Sequence, residues 1–209
     1  MRATKFEFER RFWIIFAIYA VGFWFAYFDH VSSITGLRHW VAPSIVQGSP
    51  EAENFKRAII ALGAFLVFLT AALRTWGAAY LCTDIVHDTA QHSEALVADG
   101  PFCYTRNPLY LANVLMAAGI GVMASRLGWL FLVVASWIFV YRLIFREEEA
   151  LQQSQGESYR AYLEAVPRFW PAFTPRVPSG GRSARWGQAS SGKALSGSLV
   201  WRSCVSPSP

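Results

Sequence analysis

Charge is scarce in this chain. Asp, Glu, Lys and Arg make up 16% of its 209 residues, against roughly 25% in soluble domains. That deficit argues against a water-soluble globule, whose surface needs charged side chains. Cysteine and histidine are scarce too. Cys82, Cys103 and Cys204 have neither metal-ligand spacing nor a disulfide framework. Cys82 and Cys103 read as apolar residues near a membrane. His30, His39, His87 and His92 are scattered, and His87 and His92 miss the i, i+4 spacing of a helical zinc pair. No metal is expected. The formal charge of +5 comes from basic residues at the ends of apolar runs, not from a stripe that nucleic acid would follow. Ionisable residues are missing from the middles of those runs, which argues against a transporter.

What is present is apolar: 54% of residues are hydrophobic, 16% are aromatic, and the mean hydropathy is +0.27. The runs cover 12–28, 58–73 (continuing towards Leu81), 108–125 and 129–145. Each approaches the roughly 20 residues that cross a bilayer. The first run has the basic flank of a signal peptide, but its bulky aromatics and the lack of a small-x-small site favour a retained helix. A polar loop follows at 29–56, with a short interfacial helix near Gly36–Trp40. The third run is rich in Ala and Gly, which let helices approach closely in lipid. With the fourth, across a turn at Ser125–Gly128, it reads as a helical hairpin. The expected fold is therefore all-α: a polytopic membrane bundle of about four transmembrane helices with a cytosolic cofactor pocket. Its parts are 1–81, N-terminal helices and loop; 82–174, the core; and 175–209, a disordered tail rich in Ser, Gly, Arg and Pro.

Charge sets the expected orientation. With four spans, Arg2, Lys5, Arg10, Arg11, Arg74, Arg106, Arg142, Arg146, Arg160 and Arg168 share one side, against Arg38, Lys56, Arg57 and Arg126. The positive-inside rule puts both termini and the 74–107 loop in the cytosol.

Two polar clusters interrupt the apolar pattern. The first, 96–110, is turn-rich and aromatic. Gly100-Pro101 is a turn, and Asn107-Pro108 has the form of a helix start. Arg106 lies just ahead of that helix, where anions are already favoured. Either it belongs to a site for an anionic or nucleotide-like ligand, or it snorkels from a membrane-surface turn. The second cluster, Glu147-Glu148-Glu149, follows the fourth run. It is either a solvated charge run or the wall of a pocket holding an ammonium group or ribose hydroxyls. Folding the hairpin brings 100–110 and 145–149 to one end of two helices.

These clusters resemble the isoprenylcysteine carboxyl methyltransferase and phospholipid methyltransferase superfamily of integral membrane enzymes. The matching residues are Leu96-Val97, Gly100-Pro101-Phe102, Arg106-Asn107-Pro108-Leu109-Tyr110, Glu147-Glu148, Leu151, Gly156, Tyr159, Tyr162 and Val166-Pro167-Arg168. The resemblance covers roughly 74–171. It implies methyl transfer from S-adenosyl-L-methionine without a Rossmann fold. By position, Leu96, Val97, Phe102, Asn107, Pro108, Tyr110, Glu147 and Glu148 would bind the cofactor, with His87 a weaker match. Arg106 and Asn107 would be the catalytic pair. The family's usual His-Pro is Asn107-Pro108 here, and Gln155 replaces a usual Phe. A substrate-binding Arg expected at Leu143 is replaced, with Arg142 or Arg146 as substitutes. The implied partners are membrane lipids and a lipophilic or small methyl acceptor, either carboxyl or thiol. A phospholipid amine, or a degenerate site without catalysis, is the alternative.

Overall fold

The computed structural model describes residues 3–81 and 99–177. Every regular element among them is helical: α1 (Lys5–Glu9), α2 (Arg11–Trp24) running into a 3-10 turn (Phe25–Tyr27), α3 (Ser33–Val41), α4 (Pro50–Leu81), a 3-10 turn (Gly100–Cys103), α5 (Pro108–Gly121) and α6 (Arg126–Ala165). Two helices, Pro50–Tyr80 and Arg126–Ser154, are long and apolar enough to cross a membrane. Arg11–Tyr27 and Pro108–Gly121 are shorter apolar helices. At 1.5 Å per residue, the 14 residues of α5 rise roughly 21 Å, short of a hydrocarbon core of about 30 Å.

The helix ends follow local chemistry. The α4 helix begins eight positions ahead of the apolar run at 58. Ser49 accepts from the Ala52 N–H at 3.2 Å, Pro50 fills the first helical position, and Glu51 and Glu53 lie in the first turn. That is a capped start with acids at the positive end of the dipole. The α3 helix is capped likewise, with Ser32 accepting from the Thr35 N–H at 3.2 Å. The fourth apolar run does not stop at 145. It continues as α6 through the three glutamates, broken only at Gly156, whose φ of 57° is non-helical. The acids are therefore mid-helix rather than at an unfavourable C-terminus. The turn before α6 lies at 122–125, slightly ahead of the expected Ser125–Gly128.

The chain divides into two compact units. One comprises Phe6–Thr70 and Asn113–Tyr141. Here α4 and α5 meet through glycine. A Cβ on Gly119 would lie 2.7 Å from the Gly63 carbonyl oxygen, so only glycine permits this approach. Gly22 packs as closely on Leu132, and Gly128 on the Gly22 carbonyl. Asp29, buried, accepts from the Leu127 N–H at 2.8 Å and the Val31 N–H at 3.2 Å. It ties the segment after α2 to the start of α6. Those N–H groups hold its carboxyl below the usual range, with help from Arg126 against the cost of burial.

The other unit comprises Met1–Lys5, Ala71–Ala112 and Arg142–Pro209. Its core includes Ala78, Ala79, Leu111, Leu143, Ile144, Tyr159, Tyr162, Val166 and Phe169. Buried polar groups accompany them: Asp99, Thr105, Asn107 and Glu148. Both polar clusters of the sequence thus fall in this unit. The last described residues include Arg176, whose N–H donates to the Cys103 carbonyl at 2.9 Å, and Val177, which packs beside Tyr159 and Tyr162. Leu96, Val97, Cys82, His87, His92 and 178–209 lie outside the described residues.

Candidate functional site

The second unit draws the two polar clusters together. Between Cys103 and Asn107 the backbone has few helical bonds to satisfy it, and the segment after α6 supplies partners. The Arg106 N–H donates to the Pro167 carbonyl at 3.0 Å, and the Ala172 N–H donates to that of Tyr104 at 2.9 Å. Thr105 Oγ1 donates to the Phe169 carbonyl at 3.0 Å. The Asn107 side-chain amide donates to the Arg168 carbonyl at 2.9 Å. The strap 166–177 is thus laced onto 103–107, although some 60 residues separate them in sequence.

The lacing fixes the charges. Glu148, 9% exposed at its side chain, lies between two guanidinium groups. Arg106 Nη1 is 3.2 Å from its Oε1. Arg168 is bound by Nη2 at 2.9 Å and by Nε at 3.0 Å to Oε2, and its guanidinium lies over the Phe145 ring at 4.9 Å. A forked Arg–carboxylate pair is directional as well as attractive. Two cations and one anion leave one net positive charge. Arg106 Nε is buried and has no hydrogen-bond partner among the described residues. One helical position away, Glu147 Oε1 accepts from the Tyr110 hydroxyl at 2.6 Å. Tyr159 and Tyr162 close the cluster, and Tyr162 donates to the Phe102 carbonyl at 2.8 Å. Burial pushes both phenol pKa values up, and the Glu148 charge adds to the shift at Tyr159.

Of the residues singled out in the sequence, Arg106 meets Glu148 and Tyr110 meets Glu147, while Asn107 and Phe102 reach the same strap and tyrosines through Arg168 and Tyr162. Asn107 does precede the first residue of α5, and its carbonyl takes the Leu111 N–H at 3.0 Å. Its side chain, however, serves Arg168 rather than a cap. Arg142 and Arg146 have other contacts: the Ala3 N–H donates to the Arg142 carbonyl at 3.1 Å, and Arg146 Nη1 donates to the Ala3 carbonyl at 2.9 Å. The residue whose importance sequence reasoning passed over is Arg168. Its signal was the Val-Pro-Arg triplet. No group of three or more His, Cys, Asp or Glu that could hold a metal occurs among the described residues.

Among the described residues, then, the fold is all-helical with two helices long and apolar enough to cross a membrane, and its polar cluster sets Arg106 and Arg168 on the buried Glu148. Residues 58–158 match the family model described as phospholipid methyltransferase. That matched stretch falls in the membrane methyltransferase superfamily, which unites this family with the isoprenylcysteine carboxyl methyltransferases. It is similar to the cobalt-zinc-cadmium resistance protein CzcN of Cupriavidus metallidurans, 26% identical over 116 residues, covering 56% of this chain and 50% of that one. It is also similar to the nickel-cobalt-cadmium resistance protein NccN of Alcaligenes xylosoxydans xylosoxydans, 25% identical over 117 residues, with 56% and 52% covered. The match thus spans about half the length of these curated relatives. No solved structure matches the chain.

Proposed function

We propose that the chain is an integral membrane methyltransferase that uses S-adenosyl-L-methionine to methylate a lipophilic or small acceptor. The observation that carries this reading is the convergence of Arg106, Glu148, Tyr110 and Glu147, four residues of the family-matched stretch, on one buried polar cluster. The residues fit the cofactor by charge and by donor type. The partnerless buried Nε–H of Arg106 suits a carboxylate such as that of the cofactor's methionyl end. Glu147 suits an ammonium group or ribose hydroxyls. Phe102, Asn107, Pro108 and Tyr110 would complete the binding set, with Leu96 and Val97 contributing from outside the described residues.

When bound, the cofactor supplies an activated methyl on a sulfonium, so the protein need chiefly orient and desolvate. Glu148 holds the Arg106 guanidinium and the Pro167 carbonyl holds its backbone N–H, and the buried Nε–H has no partner among the described residues. Asn107 keeps the strap closed behind it. An ionised carboxylate or thiolate acceptor needs no base, whereas an ammonium must first lose a proton. Arg142 and Arg146 are the candidate acceptor contacts. Both carry basic charge in the matched stretch.

The membrane reading extends to four crossings, by 11–27, 50–80, 108–121 and 126–154, with both termini and the site cytosolic. Its support is the apolar length of 50–80 and 126–154, the apolar character of the two shorter helices and the excess of Arg and Lys on one side.

The test is calorimetric titration of S-adenosylhomocysteine into detergent-purified protein, with Asn107→Ala in parallel. Saturable binding weakened by the substitution is expected. A folded wild-type protein that shows no heat at millimolar ligand overturns the enzyme reading in favour of a non-catalytic membrane protein.

A further inference from the structure

A cavity of about 1050 Å³ lies within the unit that contains α2 and α3, and it shares no residue with the cluster above. It has a polar part and an apolar part. Ser32, Thr35, Arg38, Ser49, Glu53 and Lys56 line the first. Ile60, Gly63, Ala64, Val67, Gly119 and Ile120 line the second. The α4 residues in this set recur every three or four positions, so one face of the helix forms a continuous wall. From Glu53 to Val67 that wall is roughly 20 Å long at the helical rise. At its far part α4 and α5 touch through Gly63 and Gly119, and Ile60, Ala64, Val67 and Ile120 make the remaining slot apolar.

The charges favour one occupant. Lys56 pairs with Glu53 at 3.4 Å. Arg38 donates one guanidinium N–H to the Ile45 carbonyl. No carboxylate among the described residues pairs with it, and the rest of its fork remains available. The cavity therefore carries a net positive charge at its polar part. Trp40, Val41 and Val46, just beyond Arg38, are exposed apolar residues of the kind that settles at a membrane interface. An anionic head with an apolar chain matches both parts, since guanidinium binds phosphate in a fork and the slot accepts hydrocarbon.

We propose that this cavity is a binding site for an anionic phospholipid, with the phosphate on Arg38 and Lys56 and one acyl chain along the Ile60–Val67 wall of α4.

The experiment is native mass spectrometry of the full chain in detergent, titrated with phosphatidylglycerol or with phosphatidylcholine of the same chains. Phosphatidylglycerol should bind saturably and in preference. Arg38→Gln keeps an N–H for the Ile45 carbonyl but removes the charge, and should weaken phosphatidylglycerol roughly tenfold, the scale of a lost charged hydrogen bond. Ala64→Phe fills the slot from an exposed position and should weaken it similarly. Arg57→Ala, a nearby exposed cation that does not line the cavity, should change nothing. Equal binding of the two lipids, or equal losses in Arg38→Gln and Arg57→Ala, overturns the proposal in favour of a nonspecific lipid belt. Displacement of the lipid by millimolar glycerol phosphate also overturns it, because a headgroup site alone would then suffice.

Discussion

The side-chain amide of Asn107 donates to the backbone carbonyl of Arg168 at 2.9 Å, across 61 positions of sequence. One residue thereby ends the loop before α5 and closes the strap that follows α6. The side chain of Arg168 in turn grips Glu148. Asn107 thus acts on the acidic cluster at one remove, through a backbone it fixes.

Replacing Asn107 by Ala leaves the Arg168 carbonyl without this donor. A loss of about 1–3 kcal/mol in stability is expected for an unsatisfied buried group, read as a lower unfolding midpoint in detergent. The affinity for S-adenosylhomocysteine should fall with it.

Among the three glutamates the effects should separate. Glu148→Gln removes the carboxylate that bridges Arg106 and Arg168, and should cost up to about 3 kcal/mol for a broken buried pair. The share carried by Arg168 is smaller, because that side chain is 39% exposed and solvent screens it. Glu147→Gln should weaken cofactor binding more than Glu149→Gln does, because Glu147 is fixed by Tyr110 at 2.6 Å. Equal effects in calorimetry would return the cluster to a charged surface.

Alkali should loosen this unit. The folded state raises the pKa values of Tyr159 and Tyr162, chiefly by burial. It therefore holds their protons more tightly than the unfolded chain does. Their contribution is complete below the ordinary tyrosine value near 10 and is lost as pH climbs from there towards the folded values. Unfolding midpoints measured between pH 8 and 11 should fall at the alkaline end. The double Tyr159→Phe, Tyr162→Phe variant should show a flatter profile, with a lower plateau for the bond to Phe102 that it lacks.

In the other unit, Gly119→Ala should cost roughly 1–3 kcal/mol, the usual penalty of overpacking. The new methyl would press on the Gly63 carbonyl, 2.7 Å away. Gly48→Ala is a different case, with open space around it but a φ of 87°, so any loss there reports backbone strain alone. A thermal unfolding series compares the two.

The helices and several of their ends were legible because local rules set them. Asn107-Pro108 announced α5, Gly100-Pro101 announced a turn, and the segment near Gly36–Trp40 is α3. The start of α4 was also written in Ser49-Pro50-Glu51, yet hydropathy alone begins the run at 58, since it weighs apolar length and ignores caps. The grouping of 100–110 with 145–149 followed from the expected hairpin. The place of Arg168 did not, because its partners are 20 and 61 residues away and the strap has no periodicity to read. Nor did hydropathy show that Glu147 and Glu148 ride inside a continuing helix, since the apolar signal ends two residues before them.

The positive φ at Gly156 interrupts the angular phase of α6. Upstream, the directions of Glu147 and Glu148 follow from the turn count of the apolar segment that precedes them. Downstream, the directions of Tyr159 and Tyr162 start from a new origin. The two halves of the cluster can therefore drift independently in length, and a one-residue insertion beside Gly156 need not rotate the tyrosines by the hundred degrees or so that it would impose within an unbroken helix.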